Sequence, residues 1–208
     1  MLKKGIVLNV LRFLLLFIIG IISYRVIFLD VLWIDTVIID FVDSVRCEWL
    51  DFLMKFITSF GNTSTVFILL LVVIWSFIKI VKNKRLALLF FISLVGNVFI
   101  NQGIKALVRR DRPINSLISV GGFSFPSGHA MVSMAFYGML IYIFYKLVDN
   151  KVLKRGLMIG FGILILLIGV SRIYLGVHYF SDVLVGFFVS FLYLDLFVKV
   201  LDKYDIFT

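Results

Sequence analysis

Apolar runs close to 20 residues long recur along this chain, and they limit what it can fold into more than any other feature. They extend from Gly5 to Phe28, Thr65 to Val81, Leu86 to Ile104, Ala130 to Leu147, Gly156 to Tyr174 and Tyr179 to Val200. A helix of about 20 residues crosses the roughly 30 Å hydrocarbon layer of a bilayer. Within that layer every backbone polar group must be bonded inside its own segment, so a helix is the form such a run takes. The pattern predicts an all-α fold, a polytopic membrane helix bundle with about six transmembrane helices. Hydrophobic residues make up 62% of the 208 positions, far above the share in soluble domains. Neither an internal repeat nor a low-complexity linker breaks the chain, so a single integral-membrane domain is expected over residues 1–208. Lys3 and Lys4 precede the first run as in a signal peptide. No small-residue cleavage site follows and Arg12 interrupts the run, which predicts an uncleaved first span.

The net charge of +9 is clustered between the apolar runs rather than interleaved along a face, which argues for topology and against a nucleic-acid partner. Lys79, Lys82, Lys84 and Arg85 lie between the second and third runs, Lys146, Lys151, Lys154 and Arg155 between the fourth and fifth, and Lys3, Lys4, Lys199 and Lys203 near the ends. By the positive-inside rule these segments, and both termini, are cytoplasmic. The remaining connections then face outward. The first of them holds Asp30, Asp35, Asp40, Asp43, Glu48 and Asp51, half of the 12 acidic residues. Within it Trp33, Val37, Phe41, Val45, Trp49 and Phe52 recur at helical spacing, which predicts an amphipathic helix on the outer interface, with a partner-binding face as the alternative. Cys47 is the single cysteine; it has no internal disulfide partner and no zinc-ligand spacing around it, and reads as structural.

The polar residues that carry chemistry gather on the same outer side. His178 and Asp182 are four apart. In a helix they share a face, the carboxylate takes the proton of one ring nitrogen, and the other nitrogen is free to attack. Arg172 lies beyond Gly176, and a turn at that glycine folds its guanidinium back towards the imidazole as a site for an anion. Lys105 and Arg112 bring two more cations to the outer end of the third run, although Arg112 precedes Pro113 and so resists helical geometry. Ser127 and Gly128 open the fourth helix, whose first N–H groups have no helical acceptor and suit an anion. His129 beside them is placed to donate a proton to a leaving oxygen; a plain cap is the alternative. Arg109 and Arg110 read as snorkelling interfacial cations. Asn97, Asn101 and Lys105 share one face of the third run and suggest interhelical hydrogen bonds. Asp195 in the last run is expected to pair with Lys199. Asp111 and Asp182 are the only motif carboxylates, too few for a two-metal centre.

Together these residues spell Lys-x6-Arg-Pro, Pro-Ser-Gly-His and Ser-Arg-x5-His-x3-Asp, in order, from Lys105 to Asp182. The sequence resembles the type 2 phosphatidic acid phosphatase family. The six-run layout and the wording Phe-Ser-Phe-Pro-Ser-Gly-His look most like its bacterial branch acting on phosphatidylglycerol phosphate. The resemblance implies a metal- and cofactor-independent lipid phosphatase of the bacterial cell membrane. In it His178 attacks phosphorus to form a phosphohistidine, Asp182 orients His178, and His129 protonates the departing oxygen. Lys105, Arg112 and Arg172 hold the phosphate with Ser127 and Gly128. The implied partners are the bilayer and a lipid phosphate or pyrophosphate, with no nucleic acid and no obligate protein partner. Undecaprenyl pyrophosphate is the alternative substrate. A transporter that binds lipid headgroups without cleaving them is the non-enzymatic alternative. Vanadate-dependent haloperoxidase chemistry, found on the same motif family in soluble proteins, is the third.

Overall fold

A computed structural model describes residues 2–204. The two ends of the expected 1–208 domain, and the side chains of residues 2–5 with Lys3 and Lys4 among them, lie outside the described residues. The described chain forms helices α1 (Leu2–Leu29), α2 (Trp33–Val45), α3 (Glu48–Ser59), α4 (Thr63–Lys79), α5 (Lys84–Val108), α6 (Gly128–Leu147), α7 (Lys151–Tyr174) and α8 (Phe180–Lys203), with no strand among the described residues. Five helices are long and apolar enough to cross a membrane, and a sixth span results when α3 and α4, bent by 43° at their joint, are taken together. The chain is a multi-pass membrane bundle. Its helix starts are set by local polar residues. The Asn83 side chain accepts from Leu86 N at the start of α5, and Asn150 accepts from Val152 N and Leu153 N at the start of α7, satisfying N–H groups that no helical carbonyl reaches.

Helix α6 is the central one and packs against α5, α7 and α8. Its Met131, Met139 and Ile143 are among the most deeply buried side chains, and Phe136 meets Phe90 of α5 edge-on at 5.3 Å between centroids. Several polar residues inside the bundle are bonded between helices, as a low-dielectric interior favours. Asn97 donates to Ser190 Oγ at 2.7 Å, Ser190 donates on to Met131 O at 2.9 Å, and Asn101 donates to Pro126 O at 3.2 Å. The partnership expected of Asp195 is broader than one residue. Arg12 of α1 lies nearer, at 2.7 Å, than Lys199 at 3.5 Å. An acid within the apolar span is thereby neutralised from a second helix, and α1 is joined to α8.

The acidic stretch from Asp30 to Asp51 is two helices rather than one. Arg46 and Cys47 are extended between α2 and α3, because Arg46 is pulled out of the helix to donate to Asn115 O and Tyr174 O, both at 3.2 Å. The aromatic stripe faces away from the protein, with Trp33, Phe41, Trp49 and Phe52 all exposed, as a membrane-surface face does. The opposite face of α2, with Val42, packs on the end of α7, and Asp35 on that face is fully buried.

Candidate active site

The C-terminal ends of α5 and α7, the N-terminal ends of α6 and α8, and the α3–α4 joint converge at one end of the bundle. A cavity of about 440 Å³ lies among them. Its lining includes Lys105, Arg112, Arg172, His129, His178, Gly128 and Asn101, together with Thr63, Gly121 and Gly122. Three cations face it, and no carboxylate is among its lining residues.

Arg172 and His178 are brought together by the turn that ends α7. Gly176 has φ +67°, and the N–H groups of Gly176 and Val177 donate to Ile173 O and Arg172 O, the Schellman arrangement that closes a helix with a left-handed residue. A Cβ on Gly176 would also lie 2.6 Å from Asn115 O, so only glycine serves here. Arg172 is 1% exposed. Its Nη1 donates to Thr58 Oγ1 at 2.8 Å, and its buried Nε has no hydrogen-bond partner among the described residues.

His178 precedes α8 instead of lying within it, so its pairing with Asp182 arises differently from the shared helical face expected. Asp182 is the third residue of α8 and turns back on the helix start. Its Oδ2 accepts from Tyr179 N at 2.9 Å, as the acidic member of a capping box does, and stands 3.4 Å from His178 Nδ1. Ser124 donates to the same Oδ2, and its Oγ is 3.3 Å from His178 Nδ1. The other ring nitrogen, Nε2, lies 3.2 Å from Arg112 Nη1. A guanidinium has donors only, so Nε2 is the acceptor there and Nδ1 carries the proton towards Asp182 and Ser124. Burial pushes the His178 imidazole down to about 4, against the pull of Asp182 and with the help of Arg112 and Arg172. The ring is therefore neutral near pH 7, with its Nε2 lone pair at the cavity.

Arg112 also donates to Val177 O at 2.7 Å and to the carbonyls of Gly121, Gly122 and Phe123, which fastens the glycine loop over the cavity. Burial holds its guanidinium below the usual range, partly offset by Asp182. Lys105 donates to Phe123 O and Ser124 O. His129 Nε2 is 2.9 Å from Asn62 Oδ1. The α3–α4 joint can approach it only because residue 61 is glycine, where a Cβ would sit 2.9 Å from His129 Cδ2. Ser127 is placed differently from expectation. It is fully buried and outside the lining, its N–H donates to Asp182 O at 3.0 Å, and its hydroxyl caps α6 through Ala130 N. Gly128 and His129, the next residues, are those that bring the helix start to the cavity.

Arg110 also departs from the sequence reading. Arg109 is the exposed left-handed C-cap of α5, but Arg110 is 3% exposed and paired with Asp182 at 2.6 Å and Asp35 at 2.8 Å. Several residues joined to the site were not among the sequence candidates, Asp35, Thr58, Asn62, Arg110 and Ser124 among them. One had a signal. Asp35 stands three and seven positions before Ile38 and Val42, on the face that turns inward.

A second, mostly apolar cavity of about 330 Å³ shares Asn101, Gln102, Gly128, His129 and Thr63 with the first and runs on between α4 and α5 past Val66, Leu70, Leu94 and Val98.

Residues 85–205 match the PAP2 superfamily. The chain belongs to that family. It is 34% identical over 151 residues to phosphatidylglycerophosphatase B of Bacillus subtilis (strain 168), covering 71% of this chain and 73% of that protein. Its fold is similar to the crystal structure of the transmembrane PAP2-type phosphatidylglycerolphosphate phosphatase from Bacillus subtilis, with a TM-score of 0.85, 28% identity, and 92% of this chain and 96% of that one covered. The crystal structure of Aquifex aeolicus LpxE is similar in fold, with a TM-score of 0.63 at 22% identity over 77% of this chain and 92% of that one.

Proposed function

We propose that this protein is a membrane lipid phosphatase that removes the terminal phosphate of phosphatidylglycerol phosphate, or of a related lipid phosphate, at the outer membrane face. The observation that carries this reading is the cavity itself: a neutral histidine whose unprotonated Nε2 stands beside Arg112, three cations, no lining carboxylate, and an adjoining apolar slot that shares part of its wall. The cations attract a phosphate and the slot accepts an acyl chain. Arg172 lines the cavity and brings its guanidinium donors to a phosphate there, and the Gly128–His129 helix start adds backbone N–H groups.

In the first step His178 Nε2 attacks phosphorus, the bond from phosphorus to the lipid oxygen breaks, and His129 gives that oxygen a proton. Nδ1 keeps its own proton, so the phosphorylated ring gains positive charge, which Asp182 stabilises. In the second step water attacks phosphorus, His129 takes the water's proton, and the N–P bond breaks to release inorganic phosphate. Lys105, Arg112 and Arg172 neutralise the charge spread over the phosphoryl oxygens, the main demand of phosphoryl transfer. A divalent cation has no anionic ligand at the cavity wall, so the reaction runs in chelator. Three cations also suit a pyrophosphate, which keeps undecaprenyl pyrophosphate as the second substrate. The basic connections support a topology with both termini in the cytoplasm and the cavity outside. The test is phosphate release by the purified protein from phosphatidylglycerol phosphate, phosphatidic acid and undecaprenyl pyrophosphate in chelator. Release from at least one of them, abolished by His178→Ala, is expected; no release from any, or release undiminished by that change, overturns the proposal.

A further inference from the structure

Behind Asp182 lies a buried ionic group that the cavity does not touch. Asp35, fully buried, accepts from Ser181 N at 2.9 Å, Ser181 Oγ at 2.7 Å and Arg110 Nη2 at 2.8 Å. Arg110 reaches the other way with Nη1, donating to Asp182 Oδ1 at 2.6 Å and Ser181 Oγ at 2.8 Å. Its guanidinium lies 3.9 Å over the Tyr179 ring, and exposed Asp30 stands 3.6 Å from its Nε. The two oxygens of Asp182 are thus divided. Oδ2 serves His178, Ser124 and Tyr179 N, and Oδ1 belongs to Arg110. A carboxylate gripped on both oxygens cannot rotate without breaking one set of bonds. One buried guanidinium between two buried carboxylates is a costly arrangement where apolar packing alone would hold α2 to α8. Its geometry is matched to the planar fork of arginine, which lysine lacks.

We propose that Arg110, itself fixed by Asp35 and Ser181, is a positioning residue for the reaction: it holds the Asp182 carboxylate at His178 without contacting the substrate. The proposal rests on the reading of His178 as nucleophile. Arg110 also shields His178 from part of the Asp182 charge. The other charged or titratable groups facing His178 are Arg112 from the loop after α5, Arg172 from α7 and His129 from α6, with Lys105 of α5 across the cavity. None of these is altered by substitution at positions 35, 110 or 181.

The experiment compares the full chain with Arg110→Gln, Arg110→Lys, Asp35→Asn and Ser181→Ala, using phosphatidylglycerol phosphate in mixed micelles. Arg110→Gln is expected to lower kcat by roughly 10- to 100-fold with KM within about twofold, the size of effect that a small misplacement produces. Arg110→Lys, which restores the charge but not the fork, recovers less than half of that loss. Ser181→Ala keeps every charge and lowers kcat roughly fivefold, about the worth of one hydrogen bond; it carries the test if the charge variants do not fold. The chain has two histidines, so in a His129→Asn background His178 titrates alone and is read by NMR or by diethyl pyrocarbonate modification. There Arg110→Gln raises the titration point of His178, because Asp182 is left uncompensated. Asp35→Asn lowers it, because Arg110 is freed to act on Asp182 alone. Folded variants with unchanged kcat and an unmoved His178 titration overturn the proposal, as does a rise in KM without a fall in kcat. If the wild-type chain releases no phosphate, the proposed function fails, and the two opposed titration shifts still decide the role of Arg110.

Discussion

The two parts of this chain contribute to the site in different ways. The segment that matches the PAP2 superfamily, residues 85–205, supplies every motif side chain at the cavity: Lys105, Arg112, His129, Arg172 and His178. The segment before it supplies side chains that hold them: Thr58 on Arg172, Asn62 on His129 and, through Arg110, Asp35 on Asp182. The contrast teaches that the reacting groups and the groups that fix their geometry are separable in this bundle. In the proposed reaction the first set meets the phosphate, while the second set, from α2, α3 and the α3–α4 joint, limits how the first set moves.

The largest expected effects are in the motif segment. His129→Ala should lower kcat by about 100- to 10,000-fold, the range for loss of a general acid. Asn62→Ala, which frees His129 from the joint, should lower it only on the order of tenfold. Steady-state phosphate release on both variants checks the gap, and equal losses would erase the distinction between the two segments. Arg172→Gln should cost on the order of 100- to 1,000-fold in kcat/KM, as removal of a group acting on transition-state charge does. Thr58→Val should cost roughly tenfold, because Arg172 keeps its charge and loses one restraint.

A pH profile sharpens the same contrast. In the proposed reaction the attacking form of His178 is the neutral one, and burial lowers its titration to about 4. Activity lost by protonation of this ring therefore disappears only as pH falls through about 4, rather than through the ordinary histidine value of roughly 6.5. Modification of His178 by diethyl pyrocarbonate against pH reads this directly. The smallest effect on chemistry is expected at the far end of the bundle. Asp195→Asn removes the pairing with Arg12 and Lys199, and should lower the melting temperature while leaving kcat per folded molecule unchanged.

Much of the bundle was legible because apolar runs and basic clusters are local properties. The helix-ending turn at Gly176 and the start of α6 at Ser127 could also be read from neighbouring residues. The division of the acidic stretch into α2 and α3 could not, because it depends on Arg46 reaching carbonyls at positions 115 and 174. Arg110 was misread for a similar reason. It sits beside Arg109 in the sequence, but the left-handed turn at Arg109 sends the two side chains apart, one to the surface and one between Asp35 and Asp182. Ser127 had the right neighbourhood and the wrong orientation, since its N–H is taken by Asp182 O. The motif residues themselves are gathered at one cavity because four helix ends meet there, a property of topology that spacing along the chain can suggest only in part.

The covalent step is the centre of the proposed chemistry, and a trapping experiment tests it most directly. Lipid phosphate labelled with ³²P is mixed with the full chain in chelator, quenched in alkali to preserve a phosphoramidate, and the labelled peptide is mapped. Label on the peptide that contains His178, absent from His178→Ala, is the predicted result. Continued release of phosphate by His178→Ala, or turnover by the wild-type chain with the label on another residue, would contradict it.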